Sequence, residues 1–222
     1  MKLLNTYIDH TLLKPTATKN DIIKLCNEAM EHQFFSVCVN SCYVPLAKAQ
    51  LKKSDVKVCS VIGFPLGSMS TQAKVDEAKS ALHNGADEID MVINLGFLKS
   101  KDFNAVWRDI EAVKKIMPRN VLKVILETCY LEELEIIKAS ELAIQSGADF
   151  IKTSTGFGTG GATIKDVKLM QSVANNLVKI KASGGIKDTK TALEYIRLGV
   201  ERLGTSSGIA IVTGKSSIET NY

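Results

Sequence analysis

Proline is scarce, with only four in the chain, and no Gly/Ser-rich or Pro-rich stretch separates one half from the other. That leaves no linker and no low-complexity segment, so a single domain over residues 1–222 is the simplest organisation. Charge of one sign is not in excess: 28 Lys and Arg stand against 24 Asp and Glu, a formal net charge of +4. A balance this weak and evenly spread argues against a nucleic-acid partner, while an anionic small molecule stays compatible with it. Long apolar runs are missing too, the longest candidates being short segments such as Val121 to Leu126, interrupted by Lys123. None approaches the roughly 18 residues of a bilayer span, and no membrane partner is expected. The three histidines, His10, His32 and His83, are dispersed, and the five cysteines form no CxxC pair, so no metal site is readable. Met1 to Ile8 is polar and reads as the start of a fold; with no secretory leader and an odd cysteine count, a reducing cytoplasm is the expected compartment. Nucleotide signatures are lacking as well, since no Gly-Lys-Ser/Thr ending makes a Walker loop and no helix opens within a GxGxxG run. No cofactor is expected.

What is present is enough apolar material for a substantial core, at 45% of 222 residues, which excludes a disordered chain. Short β-branched runs recur at Tyr7–Leu13, Phe34–Val39, Lys57–Gly63, Glu88–Ile93, Leu122–Glu127, Asp149–Ser154, Val178–Ser183 and Arg202–Thr205. The intervening segments have helical periodicity, clearest in Phe103, Val106, Trp107, Ile110, Val113, Ile116 and Met117, which form one apolar stripe. Thr18 with Asp21 and Thr163 with Asp166 are plausible helix caps. Eight alternating strand–helix units in this length imply right-handed crossovers and favour an α/β fold of the (β/α)8 TIM-barrel type over an open sheet.

An internal repeat refines this reading. Gly85-Ala-Asp-Glu-Ile-Asp90, Gly147-Ala-Asp-Phe-Ile-Lys152 and Gly199-Val-Glu-Arg-Leu-Gly204 each combine a helix-ending glycine, a turn and the start of a strand. The sixth positions, Asp90, Lys152 and Gly204, fall on strands 4, 6 and 8, and alternate strands fill one layer of a barrel interior. Gly204 is expected to leave space there for a ligand or its phosphate. The same alignment pairs Ser36 with Asp90 and Cys38 with Val92.

Lysine inside a strand is unusual, because an uncompensated buried ammonium costs several kcal/mol. Lys152 and Lys181 lie on neighbouring strands about 4.8 Å apart, where each opposes the other's protonation and desolvation acts in the same direction. A lysine so disposed carries the free amine that attacks a carbonyl to form an imine. Lys57, Lys123 and Lys179, near the starts of their strands, are expected to snorkel to solvent. Asp90, among apolar neighbours, completes a catalytic trio, since charge pairs are inefficient stabilisers and three ionisable groups in one barrel are better explained by function.

Glycine-rich turns form a second constellation: Ser183-Gly-Gly185 after strand 7 and Gly204-Thr-Ser-Ser-Gly208 after strand 8, where barrels of this type often bind phosphate with backbone amides and a short helix, here Ser207 to Val212. The run Thr153 to Gly161 after Lys152 offers hydroxyls to a polyhydroxylated substrate. Cys26 and Cys59 read as ordinary core thiols, Cys38 near a strand end as a candidate supporting residue at the mouth, and Asp9-His10 as part of a polar network there.

These residues resemble the deoxyribose-phosphate aldolases, class I aldolases with a (β/α)8 barrel. The resemblance spans almost the whole chain through Ile8-Asp-His-Thr-Leu-Leu13, Cys38-Val-Asn40, Val61-Ile-Gly-Phe-Pro-Leu-Gly67, Glu88-Ile-Asp-Met-Val-Ile-Asn94, Lys152-Thr-Ser-Thr-Gly156, Lys181-Ala-Ser-Gly-Gly185 and Gly204-Thr-Ser-Ser207. It implies cleavage of 2-deoxyribose 5-phosphate to glyceraldehyde 3-phosphate and acetaldehyde. Lys152 would form the imine, Lys181 would activate it, and Asp90 would move protons through water. The resemblance further implies Thr155 near a sugar hydroxyl, phosphate at Gly184, Gly185, Gly204, Ser206 and Ser207, and a homodimer. The sequence departs from some relatives at Phe157, which stands where they carry a basic residue. Tyr222, in the polar tail, is a candidate proton carrier. The competing readings are a transaldolase-like Schiff-base enzyme and a noncatalytic sugar-phosphate-binding protein.

Overall fold

The computed structural model describes residues 3–214. Eight strands, β1 (Ile8–Leu12), β2 (Ser36–Asn40), β3 (Lys57–Ile62), β4 (Glu88–Val92), β5 (Val121–Ile125), β6 (Phe150–Lys152), β7 (Lys179–Ser183) and β8 (Arg202–Thr205), pair in parallel, each with the next. β8 returns to β1, with Asp9 opposite Gly204, and closes the expected barrel. The helices around it are α1 (Lys19–Glu31), α2 (Val44–Gln50), α3 (Thr71–His83), α4 (Leu95–Lys99), α5 (Phe103–Ile116), α6 (Glu133–Gln145), α7 (Ile164–Ala174), α8 (Thr189–Arg197) and α9 (Gly208–Thr213).

Local chemistry accounts for where these elements begin and end. At the start of α1, Asp21 accepts the Thr18 N–H at 2.8 Å while Thr18 Oγ1 accepts the Asp21 N–H at 3.3 Å, a reciprocal cap. Thr163 caps α7 through the Asp166 N–H at 3.1 Å. After α3, α6 and α8, Gly85, Gly147 and Gly199 take φ of +103°, +81° and +87°, the left-handed reversal that each repeat uses to turn into its strand. β6 begins one residue later than its sequence run, at Phe150, where Asp149 accepts the Leu122 N–H at 2.8 Å and Lys114 Nζ at 2.6 Å.

Side chains alternate across each strand. Outward-facing Ile8, Val37, Ile89, Val124, Ile151, Ile180 and Leu203 are buried against the helices and make the main core. At about 1.5–3 kcal/mol for each fully buried aliphatic side chain, this shell dominates stability. Inside the barrel, a small apolar cluster of Leu13, Cys38, Cys59 and Val61, flanked by Phe64, fills one side. The other side is filled by charges. Between barrel and helices, Lys74 of α3 is fully buried, 2.5 Å from Asp109 of α5 and 2.9 Å from the Val92 carbonyl. That clamp ties the end of β4, the strand carrying Asp90, to two helices.

Candidate active site

Alternation turns Asp9, Glu88, Asp90, Lys123, Lys152, Lys181 and Arg202 into the barrel, all of them buried. Asp90 is their meeting point. Its Oδ2 accepts from Lys152 Nζ and Lys181 Nζ, each at 2.8 Å, and its Oδ1 from Lys123 Nζ at 3.0 Å and Cys59 Sγ at 3.1 Å. Lys123 also contacts Glu88 at 2.5 Å, Glu88 meets Arg202 at 2.8 Å, Arg202 Nε donates to Asp9 at 2.7 Å, and Asp9 meets Lys181 at 2.5 Å. The contacts close a ring of alternating charge: Asp9, Arg202, Glu88, Lys123, Asp90, Lys181 and back to Asp9. Each cation of the ring bridges two carboxylates. Lys152 stands outside it, its ammonium touching Asp90 alone.

Geometry gives Lys152 and Lys181 different surroundings. The ring is neutral by itself, with three carboxylates and three cations, and Lys152 is appended to it through Asp90. Burial alone would pull the Lys181 amine down, but Asp9 and Asp90 outweigh it and hold its pKa well above the usual lysine value. Lys181 is a retained cation. Burial likewise opposes ionisation of Asp90, yet Lys123, Lys152 and Lys181 hold its carboxyl well below the usual range, and Arg202, Lys181 and Lys123 do the same for Asp9. The expected repulsion between Lys152 and Lys181, opposite each other in the strand register, is mediated by the Asp90 oxygen that both touch. Buried ion pairs stabilise folds poorly, so this many inside one barrel mark a place where chemistry is organised.

Several expectations need correction. Lys57 and Lys179 are exposed, but Lys123 does not snorkel: it is fully buried because Glu88 and Asp90 face it from the neighbouring strand. Cys59 is not an ordinary core thiol, since it lines the interior and hydrogen-bonds Asp90. Its pKa is pushed up by burial and by Cys38, whereas Cys26, packed outside the barrel, is pushed up to about 11 by burial. Gly204 does not leave room for a ligand; a Cβ there would lie 3.0 Å from Lys181 Cε and 3.0 Å from Ser183 Cβ, so the space belongs to the lysine. Ser36 meets Asp9 at 2.6 Å and Arg202 at 3.2 Å, whereas the Cys38 and Cys59 sulfurs lie within 4.8 Å of an Asp90 oxygen. This trio has metal-type donors, but both Asp90 oxygens already serve ammonium groups, which makes it a poor cation site.

Sequence reasoning passed over Lys123, Glu88 and Arg202. A signal existed: Glu88 and Arg202 lie two residues before Asp90 and Gly204, hence on the same strand face. At the floor of the barrel the Arg202 guanidinium stacks 3.5 Å from the centroid of the Phe35 ring.

At the mouth, Thr155 is buried and bonded to Glu127. Gly184 and Gly185 take φ of +85° and +78° for different reasons. Gly161 packs so close that a Cβ on it would fall 2.4 Å from the Gly184 carbonyl oxygen, while a Cβ at Gly185 would meet open space. The Ser207 N–H is engaged by Thr205 Oγ1 at 2.9 Å, so Ser207 has its hydroxyl rather than its amide to offer. Ser206 and Ser207 are half-buried and line a groove of about 890 Å³ that continues past Thr11 and His10 to α1. Phe157 packs edge-on against Phe64, ring centroids 5.3 Å apart. Tyr222 lies outside the described residues.

A family model described as DeoC/LacD family aldolase matches residues 3–214. A deoxyribose-phosphate aldolase of Finegoldia magna is 56% identical over 211 residues, covering 95% of this chain and 99% of its own. One of Thermococcus gammatolerans is 58% identical over 217 residues, covering 96% of each. The solved structure of deoxyribose phosphate aldolase from Aeropyrum pernix, described as tetrameric, matches with a TM-score of 0.89 and 34% identity over 95% of this chain and 90% of that one.

Proposed function

This chain belongs to the DeoC/LacD aldolase family, and from that premise we propose that it is a carbon–carbon lyase cleaving 2-deoxyribose 5-phosphate to glyceraldehyde 3-phosphate and acetaldehyde through an imine on Lys152. The observation that carries the residue assignment is the neutral charge ring with Lys152 appended to it.

The neutral amine of Lys152 adds to the C1 aldehyde and water leaves, giving a protonated imine. Loss of the C3 hydroxyl proton allows the C2–C3 bond to break; its electron pair moves to the imine nitrogen, forming an enamine, and C3 departs as the aldehyde of glyceraldehyde 3-phosphate. Protonation at C2 and hydrolysis release acetaldehyde and restore Lys152. The imine itself is the electron sink, so no metal Lewis acid is called for. Asp90 is the carboxylate in contact with Lys152 and relays the protons through water. Held by three cationic groups it stays a weak base, since the protonated imine keeps a positive charge at Lys152. Lys181, anchored by Asp9 and Asp90, supplies the fixed positive charge beside the reacting nitrogen. The turns after β7 and β8, with Gly184, Gly185, Ser206 and Ser207, hold the phosphate and orient the far end of the sugar.

The same reading takes the enzyme as a cytoplasmic homodimer acting in the breakdown of deoxyribose phosphates. Its cytoplasmic part is supported by the free thiols among the described residues, and assembly into an oligomer by the solved A. pernix relative described as tetrameric. Sedimentation analysis distinguishes a dimer from a tetramer like that described for the A. pernix protein.

The decisive experiment is borohydride trapping with 2-deoxyribose 5-phosphate, read by intact mass and a peptide map. One adduct on Lys152 is expected. An adduct on Lys181 instead would exchange the two lysines' roles, and no adduct during turnover would refute the imine mechanism.

A further inference from the structure

Glu127 stands at the mouth, just past β5, and has no part in the chemistry above. It is 2% exposed and, among the described residues, has no ion-pair partner. Its backbone is left-handed, with φ of 55° and ψ of 61°, a conformation that residues with a Cβ rarely adopt. Such features concentrate where a side chain is held for a purpose.

Both carboxylate oxygens face Thr155. Oε1 accepts the Thr155 N–H at 3.1 Å, and Oε2 accepts the Thr155 hydroxyl in a short bond. Thr155 Oγ1 in turn accepts the Phe157 N–H at 3.0 Å. A hydroxyl has one hydrogen and two lone pairs. Here the hydrogen is committed to Glu127 and one lone pair to Phe157, so what remains is a single lone pair: toward a substrate, Thr155 can only accept. The loop after β6 seals this arrangement, because a Cβ on Gly158 would lie 2.7 Å from Cys129 Sγ and 3.3 Å from Glu127 Cδ.

We propose that Glu127 is a positioning residue that sets substrate specificity: by holding the hydroxyl hydrogen of Thr155 it makes that residue an obligate acceptor, so the site selects a substrate with a hydroxyl donor on the carbon beyond the one being cleaved. This rests on Lys152 as the imine-forming residue. With C1 on Lys152 and the C3 hydroxyl served from Asp90, Thr155 lies three residues further along the chain from Lys152, toward the mouth. The hydroxyl between C3 and the phosphate is that on C4, equivalent to C2 of the aldehyde acceptor in the synthetic direction.

Glu127→Gln tests the polarity. A glutamine cannot accept both Thr155 hydrogens; with its carbonyl on the Thr155 N–H, its amide donates to Oγ1 and frees the hydroxyl to donate. Acetaldehyde addition is measured to glyceraldehyde 3-phosphate and to its 2-fluoro analogue, which replaces the hydroxyl donor with an acceptor. For the wild type, kcat/KM is expected to favour the hydroxyl compound, and in Glu127→Gln that preference is expected to shrink about tenfold, the scale of one hydrogen bond in a buried site. If Glu127 merely anchored the loop, both substrates would suffer by the same factor, and an unchanged preference overturns the proposal. Borohydride trapping with acetaldehyde runs alongside: an adduct on Lys152 in the variant shows a competent fold, while its absence from the wild type refutes the imine reading and removes this proposal's basis with it. Should the variant alone fail to trap, Thr155→Val carries the test, because it removes the acceptor; there too the hydroxyl preference is expected to collapse, and its persistence overturns the proposal.

Discussion

Replacing Lys123 by methionine removes one positive charge from the ring while keeping the side chain's length. Two effects follow from the geometry. Lys123 Nζ and Lys152 Nζ sit on opposite oxygens of Asp90, at 3.0 and 2.8 Å, so they are separated by no more than about 8 Å; at an effective dielectric of about 20, unit charges at that distance interact by about 2 kcal/mol. Without Lys123, the three carboxylates need Lys152 as their third cation. Attack by that nitrogen is then disfavoured, and kcat/KM at neutral pH is expected to fall by roughly 10–30-fold. The second effect is on stability. Glu88 and Asp90 each lose a buried partner, which costs about 3–5 kcal/mol and, at about 2–4 °C per kcal/mol for a chain of this size, lowers Tm by roughly 10 °C. Deoxyribose 5-phosphate cleavage, followed through glyceraldehyde 3-phosphate release at neutral pH, and a thermal melt give both numbers. An unchanged kcat/KM with an unchanged Tm would show that Lys123 lies outside the electrostatics of the site and would refute the ring.

Lys152→Ala is expected to abolish turnover and borohydride trapping while leaving Tm within a few degrees of the wild type, because the ring keeps all its members; substantial remaining turnover would refute the assignment. The pH dependence of stability has a definite sign at each end. Asp9 and Asp90 have folded pKa values below their unfolded ones, so their contribution is complete above about pH 4 and is lost as pH falls from there toward the folded values. Lys181 has a raised folded pKa, so its contribution is complete below about pH 10 and is lost as pH rises beyond it. Urea unfolding is expected to show a plateau between these limits; a steep loss between pH 5 and 6 would contradict the direction of the carboxylate shifts.

Much of this protein was legible one strand at a time. Glycines at 85, 147 and 199 announced the repeat, and they adopt the left-handed turns that the repeat requires. Asp90, Lys152 and Lys181 stood out because an ionisable residue in an apolar strand is costly, and they do meet. Lys123 was misread because its position near a strand start is compatible with solvent, and nothing within its own strand reveals the carboxylates of β4. Cys59 and Glu127 were opaque for a related reason: one looks like any small apolar residue, the other like any polar residue at a strand end.

The sequence by itself determined the alternation of strand and helix, the barrel that follows from it and the placing of Asp90, Lys152 and Lys181 on its strands, because hydrophobic period, helix caps and turn glycines act over a few neighbouring residues. Tertiary closure alone decided which charge meets which. Asp9 reaches Arg202 across 193 positions and Lys181 reaches Asp90 across 91, and only the return of β8 to β1 joins those contacts into a ring. Electrostatic energy depends on distance in space, so it was the closed barrel that held Lys181 as a cation between Asp9 and Asp90 and left Lys152 with Asp90 as its partner.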